Sequence, residues 1–135
     1  MRFQLAIALL ATLPTVAMAD ITINNNTQLY GTGKMGISPC SKIAGNKGII
    51  QPGQQGFKVP QAILDFYCIG SCTAKVYMDK ECDKEVASVK ISNKDGVVKV
   101  DNHFPEQFDV VGLGKNITIN QKSGFEQFIN RIFNW

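Results

Sequence analysis

The chain is poor in histidine, and His103 is the single imidazole in its 135 residues. Hydrolytic triads and most transition-metal sites depend on imidazole, which titrates near neutral pH and binds metals as a neutral ligand. His103 lies in the turn-like segment 101–105 (DNHFP), where a surface histidine is the ordinary expectation. We therefore expect no catalytic residue, no metal ion and no cofactor.

Long apolar runs are scarce as well, and the longest covers only residues 5–13 (LAIALLATL). A membrane-spanning helix needs about 20 apolar residues, so this run is too short to cross a bilayer. Arg2 precedes it and an A-x-A motif ending at Ala19 follows it, which is the pattern of a signal peptide. We predict a signal over 1–19, cleavage between Ala19 and Asp20, and a protein that is secreted or periplasmic.

A cluster of one charge sign is also missing. The formal net charge is only +3, and the lysines are spread along the chain. A nucleic-acid site needs a clustered basic patch, so we expect no nucleic-acid partner. Residues 20–135 have the length of one ordinary domain. The oligomeric state is open at this point.

Four cysteines follow the signal: Cys40, Cys68, Cys72 and Cys82. An even number in an exported domain indicates disulfides, and four cysteines allow three connectivities. A zinc site of four thiolates would more typically show two closely spaced pairs, and only Cys68 and Cys72 are close together. We therefore expect two disulfides.

Short segments of alternating hydrophobicity, separated by Gly, Asn, Pro and Asp, are typical of an all-β domain. We predict about seven to nine strands in a mainly antiparallel β-sandwich. Segment 31–56 contains seven glycines and two prolines, and we expect it to be rich in loops. The main strand candidates are 21–24, 57–59, 63–68, 73–78, 86–92, 97–100, 108–111 and 117–120.

The strand predictions favour one disulfide pairing over the other two. If 63–68 and 73–78 form a hairpin, Cys68 and Cys72 flank its loop and can meet. Six residues of strand would place Cys72 about 20 Å from Cys82, whereas bridged Cα atoms lie within about 7 Å. We therefore favour Cys68 with Cys72 and Cys40 with Cys82.

The hydrophobic period changes near the C-terminus, where apolar side chains recur at i, i+3, i+4, i+7 and i+8, one face of an α-helix. Segment 123–126 (SGFE) before it has the form of a capping box. We predict an amphipathic helix over about 124–133 that packs on the core. Its apolar face, with the terminal tryptophan, consists of Phe125, Phe128, Ile129, Ile132, Phe133 and Trp135.

Two further motifs resemble ligand sites without the expected context. Segment 31–36 (GTGKMG) matches the G-x-G-x-x-G dinucleotide fingerprint, but no helix pattern follows it, so we interpret its glycines as turn residues. Segment 79–85 (DKECDKE) faintly resembles a calcium loop. Its lysines weaken the field that a divalent cation needs, and we interpret it as a solvated turn.

The stretch from Cys72 to Cys82 (CTAKVYMDKEC), followed by VASVKI and by Asp95-Gly96-Val97, resembles a group of small secreted four-cysteine β-sandwich proteins of gammaproteobacteria. The resemblance covers about residues 36–100. It implies the same fold and export. It implies no activity and no site residues, because that group has no assigned activity.

Three functions remain to be compared. The first is a non-enzymatic binding protein for an unknown protein or surface ligand, for which the long Gly-rich loop 31–56 is a suitable recognition element. The second is membrane-surface activity through the aromatic C-terminal helix. The third is a small secreted hydrolase that uses a carboxylate pair, although no grouping of acidic residues indicates one.

Overall fold

The computed structural model describes residues 20–122, which contain eight β-strands, one short α-helix and one 3₁₀ segment. The predicted signal over 1–19 and the predicted helix over 124–133 lie outside the described residues. The helix, α1, is Gln61–Tyr67, and the 3₁₀ segment is Ser41–Gly48. The strands are β1 (Ile21–Asn26), β2 (Thr32–Met35), β3 (Phe57–Val59), β4 (Ser71–Tyr77), β5 (Glu85–Ser92), β6 (Gly96–Asn102), β7 (Phe108–Leu113) and β8 (Asn116–Gln121).

The strands form two four-stranded sheets. The first sheet has the order β3-β1-β8-β7, and the second has the order β2-β4-β5-β6. Buried side chains from both sheets belong to one hydrophobic core. The mainly β fold and the number of strands agree with the expectation from the sequence.

The first and last strands, β1 and β8, run side by side in parallel, with Ile23 opposite Ile117 and Asn24 opposite Thr118. The other paired strands are antiparallel. Both β1 and β8 carry the sequence Ile-Thr-Ile-Asn, and the alternation places apolar side chains of both in the core. Because the two strands are direct neighbours, these identical four-residue segments have similar surroundings.

Alternation along β5 places Ala87, Val89 and Ile91 in the core, as the sequence predicts. Val86 belongs to the opposite face by simple alternation, and it is nevertheless fully buried. The pairing of β4 with β5 shifts in register next to Tyr77, where the ladder skips Val86. A bulge of this kind redirects a side chain without ending the strand.

The strand predicted over 63–68 is wrong, because α1 occupies this stretch. Its apolar residues do not alternate between two faces: Leu64 is fully buried, while Ile63 and Phe66 are exposed. A short apolar run cannot distinguish a strand from a helix by period alone. The carboxylate of Asp20 also accepts a hydrogen bond from the backbone N–H of Gln61 at 3.0 Å, which satisfies a free donor at the start of the helix.

Segment 31–56 has more regular structure than expected, since it contains β2 and the 3₁₀ segment. The interpretation of the 31–36 glycines as turn residues holds only for Gly36, whose φ is +61°. A Cβ at Gly36 would lie 2.7 Å from the carbonyl oxygen of Tyr67, so this turn also approaches α1 closely. Gly33 lies within β2 instead.

Candidate functional site: an apolar cavity at the open edge of the two sheets

The two edges of the paired sheets differ. On one edge the sheets are joined, because the backbone N–H of Val97 donates to the carbonyl of Gly114 at 2.7 Å. On the other edge, β2 of the second sheet and β3 of the first sheet border a cavity of about 560 Å³. The inner wall of this cavity is apolar and comes from both sheets: Ile21, Ile117 and Ile119 from the first, and Ala74, Val76 and Ile91 from the second.

The 3₁₀ segment forms one side of the cavity, and Ser41 fixes its position. The hydroxyl of Ser41 donates to the carbonyl of Gly48 at 2.6 Å, which closes the segment into a compact loop. Gly48 is buried, and a Cβ at this position would lie 1.8 Å from the carbonyl oxygen of Ser41. Ile43 and Ala44 of this segment line the cavity.

The disulfide between Cys40 and Cys82 anchors the start of this segment. Its Cα atoms are 6.0 Å apart, and Cys40 itself belongs to the cavity lining. Cys82 lies in the turn between β4 and β5, so the bridge ties the wall of the cavity to the second sheet. A covalent tie of this kind limits how far the segment can move away from β2.

α1 and the residue before it form the opposite side, where Pro60, Ile63 and Tyr67 line the cavity. Leu64 anchors the helix in the core, and Cys68 after it is bonded to Cys72 at the start of β4. The cavity therefore has one disulfide next to each of its two side walls.

The charged residues of the cavity lining are all basic. Lys34, Lys47, Lys58 and Lys75 contribute to the lining, and among residues 20–122 no aspartate or glutamate does. Lys75 lies 3.8 Å from a carboxylate oxygen of Glu85. Within residues 20–122 the other three lysines form no ion pair. By strand alternation Lys34 and Lys75 lie on the outer face of the second sheet and Lys58 lies on the outer face of the first, so these lysines flank the apolar opening and do not converge in it.

A second polar cluster joins Glu85, Ser88 and His103 on the second sheet. The hydroxyl of Ser88 is 3.0 Å from Nε2 of His103 and 3.2 Å from Oε2 of Glu85, and that same carboxylate oxygen is 3.0 Å from Nε2. In a hydrolytic triad the hydroxyl and the carboxylate contact opposite ring nitrogens. Here both contact Nε2, so the arrangement lacks the geometry of a triad.

The acidic segment 79–85 is a turn organised by Asp79. The carboxylate of Asp79 accepts hydrogen bonds from the backbone N–H groups of Glu81, Asp83 and Lys84. Its oxygens are therefore already occupied by backbone donors. No group of three or more His, Cys, Asp or Glu side chains in the described part of the chain is arranged to hold a metal ion.

Of the residues of the predicted disulfides, cleavage site and helix face, the cysteines and Asp20 lie within the described part of the chain. The disulfides join Cys40 to Cys82 and Cys68 to Cys72, the pairs that the sequence favours. The hairpin argument for them was nevertheless partly wrong, because 63–68 is not a strand. Ala19 and the aromatic set lie outside the described residues. That set comprises Phe125, Phe128, Ile129, Ile132, Phe133 and Trp135.

No sequence pattern indicates the cavity itself. Its lining comes from eight separate helices and strands and from the loops beside them, and no local motif marks such a convergence. The one useful signal was the Gly-rich segment 31–56, which was proposed for recognition and which supplies a large share of the lining. Among residues 20–122 no helix is long and apolar enough to cross a membrane.

Comparison with known proteins gives a structural likeness and no family. No protein-family model matches the chain, and no curated protein matches its sequence. The crystal structure of the Legionella pneumophila type II secretion system substrate NttC aligns with a TM-score of 0.58 and 13% sequence identity. The alignment covers 77% of this chain and 98% of that one. At this identity the likeness concerns the fold alone.

Proposed function

We propose that this chain is an exported, non-enzymatic binding protein with a β-sandwich fold, and that its binding site is the apolar cavity at the open edge of the two sheets. The cavity is the observation on which the proposal depends. Protein interiors are packed with few voids larger than a water molecule, whereas ligand pockets have volumes of about 300–1,000 Å³. The cavity volume of about 560 Å³ lies within the range of ligand pockets.

Two observations support the export of the protein. Both disulfides connect cysteines in a small domain, and such bonds persist mainly in oxidising compartments such as the periplasm and the extracellular medium. NttC, whose fold is similar, is a type II secretion system substrate, and export of this chain by a comparable route is part of the proposal.

The non-enzymatic part of the proposal has geometric support. Among residues 20–122, the cavity lining contains no histidine and no carboxylate, the side chains that most often act as general acid or base. The single histidine belongs to the Glu85, Ser88 and His103 cluster, which lacks triad geometry. We therefore propose binding without conversion of the bound molecule.

Blocking substitutions test the binding site directly. The neutral fluorescent probe N-phenyl-1-naphthylamine should bind the full mature chain saturably, and Ala74→Phe should abolish that signal because the ring fills the cavity. Ala44→Phe on the 3₁₀ segment is a second blocking variant that adds a ring at an exposed part of the lining. Val111→Phe is the matched control, since Val111 is exposed on β7 and lies outside the lining.

We expect both blocking variants to lose the probe and the control to retain it, with folding checked by thermal melting. If Ala44→Phe and a correctly folded Ala74→Phe both bind the probe as well as the parent does, the cavity is not the binding site. The alternative function, membrane contact through Phe125 to Trp135, concerns residues outside the described part of the chain and stays a prediction from sequence.

A further inference from the structure

We propose that the outer face of the second sheet binds a linear acidic polysaccharide along a row of lysine side chains, here called the basic band. The band consists of Lys34 in β2, Lys75 in β4, Lys90 in β5 and Lys99 in β6. These lysines are far apart in the sequence, and the pairing of the strands brings them together. The surface is separate from the cavity interior, so the proposal goes beyond the proposed function and does not depend on it.

All four lysines lie on the solvent side of the second sheet. Both chain neighbours of Lys75 are buried, so strand alternation directs Lys75 away from the core. Lys90 in β5 also lies between two buried neighbours and is itself exposed. Lys34 and Lys99 are directly opposite these two lysines in their ladders, and directly opposite residues share a face of the sheet.

The registers of the ladders join the lysines into one row. Lys34 lies opposite Lys75, and Lys90 lies opposite Lys99. Ser88 lies opposite Lys75 and is two positions from Lys90 in β5, so Lys75 and Lys90 are diagonal neighbours. Opposite Cβ atoms are about 5 Å apart and diagonal ones about 7–8 Å. The row crosses all four strands, and at about 4.8 Å between strands it spans roughly 15 Å.

The basic band is not fully neutralised by its own face. Lys75 and Lys99 each lie 3.8 Å from a carboxylate oxygen. Among residues 20–122, Lys34 and Lys90 form no ion pair. Like charges in directly opposite positions destabilise a sheet, and the band contains one such pair in the β2–β4 ladder and one in the β5–β6 ladder. A negatively charged ligand along the band would remove this repulsion.

The acidic residues beside the band favour a narrow ligand over a broad anionic surface. Glu85 at the start of β5 and Asp101 near the end of β6 are the partners of the two paired lysines. Because β5 and β6 are antiparallel, both carboxylates border the band on the same side. A planar anionic membrane or a double helix on this face would also contact these carboxylates and be repelled by them. A single chain along the lysines would not cover them.

The other side chains of this face favour a polysaccharide over a single-stranded nucleic acid. Single-stranded nucleic acids are usually bound by aromatic side chains that stack on the bases. In the four described strands of the second sheet the one aromatic residue is Tyr77, and it is buried. Thr73 is exposed and lies opposite Lys90, so a hydroxyl is available next to the band for the hydroxyl groups of a sugar.

The test measures binding of the full mature chain to three linear polymers. Polygalacturonate carries carboxylate groups, dextran sulfate carries sulfate groups, and dextran is neutral. The charge variant is K34Q/K90Q, which removes the two lysines without an ion pair. The matched control is K58Q/K122Q, which removes the same charge from exposed lysines in β3 and directly after β8.

The parent and the control should bind both acidic polymers but not dextran, with an affinity that falls as salt is added. K34Q/K90Q should bind each acidic polymer about fivefold more weakly or less, as expected when the interactions of two exposed charges are lost. Without ligand it should melt at the same temperature as the parent or higher, because both like-charge pairs are removed. The ratio of the two affinities in the parent distinguishes a carboxylated from a sulfated polysaccharide.

Any of three results would overturn the proposal. Equal binding of the acidic polymers by the parent and K34Q/K90Q would place the site elsewhere on the protein. Binding of dextran as tight as that of dextran sulfate would show that charge plays no role. If the parent binds neither acidic polymer, the polysaccharide is wrong, and binding to vesicles of phosphatidylglycerol that K34Q/K90Q loses would then identify an anionic membrane as the partner of the band.

Discussion

The hydroxyl oxygen of Ser41 accepts a hydrogen bond from the backbone N–H of Gly33 at 3.1 Å. Gly33 lies in β2, an edge strand, and the free side of an edge strand carries backbone groups that need partners. The same hydroxyl donates to the carbonyl of Gly48. One side chain thus joins the edge of the second sheet to both ends of the 3₁₀ segment.

Ser41→Ala should therefore weaken binding at the cavity more than it weakens the fold. We expect a loss of about 1 kcal/mol in the free energy of unfolding, because the half-buried backbone N–H of Gly33 loses its acceptor. Probe affinity should fall several-fold, since the wall of the cavity loses its contact with β2. Ser71→Ala, at the exposed start of β4, is the control. Equal probe affinity for Ser41→Ala and the parent would argue against this role.

The two disulfides should contribute unequally to stability. Chain entropy predicts about 4 kcal/mol for the Cys40–Cys82 bridge, which spans 42 positions, and about 2 kcal/mol for the Cys68–Cys72 bridge, which spans four. The paired alanine variants, measured by urea unfolding, should show this order. Only removal of the Cys40–Cys82 bridge should also lower probe affinity strongly, because that bridge fixes the 3₁₀ segment. The reverse order of stabilities would contradict the loop-length argument.

The strands that the sequence predicts correctly are those with one buried face. In β5, Ala87, Val89 and Ile91 alternate with more polar residues, because the sheet has a core side and a solvent side. β2 escaped prediction since its sequence, Thr-Gly-Lys-Met, contains few strand-forming residues. Its pairing with β4 is imposed by tertiary contacts, as is the helical form of Gln61–Tyr67.

The candidate site could not be predicted for a related reason. Ile21 and Ile91 are 70 positions apart and belong to different sheets, yet both line the cavity. From sequence each is an ordinary core residue. The cavity exists because β2 and β3 leave one edge of the two sheets open. Such an opening depends on how the sheets are assembled, so no local sequence pattern predicts it.

Asn25, in β1, connects this strand to Gln51, which follows the 3₁₀ segment in the chain. It is fully buried, and its amide nitrogen donates to the carbonyls of Leu29 and Gln51, both at 2.9 Å. Its amide oxygen accepts from the backbone N–H and the hydroxyl of Thr27. All the ordinary hydrogen-bonding positions of this amide are therefore used.

Asn25→Ala should lower the free energy of unfolding by about 2–3 kcal/mol, because several buried groups lose their partners at once. Asn116→Ala is the control, since Asn116 is exposed on β8, and it should change the free energy by less than about 0.5 kcal/mol. Urea unfolding at neutral pH measures both. Similar values for the two variants would show that the Asn25 network contributes little.

The turn around Asp79 should make stability depend on acid pH. Burial raises the pKa of Asp79, but the backbone N–H groups of Lys84, Glu81, Asp83 and Cys82 outweigh it, and the pKa lies below its ordinary value of 3.8. A lowered pKa in the folded state means that the ionised carboxylate stabilises the fold. This contribution is complete above the pKa of the unfolded chain and is lost as the pH falls through the lower folded value.

Asp79→Ala should therefore destabilise the protein by about 1 kcal/mol at pH 7, as expected for hydrogen bonds to a largely solvated carboxylate. The difference from the parent should stay constant down to about pH 5 and shrink below pH 4, where the parent loses the same contribution. The backbone of Cys82 has φ +58° in this turn, so the variant should also loosen the position from which the Cys40–Cys82 bridge begins. Asp95→Ala, at an exposed turn between β5 and β6, is the control: it keeps Asp79, so its stability should follow that of the parent from pH 7 to pH 3. Urea unfolding across this pH range measures the effect, and a difference between Asp79→Ala and the parent that persists unchanged at pH 3 would contradict the assignment to the carboxylate.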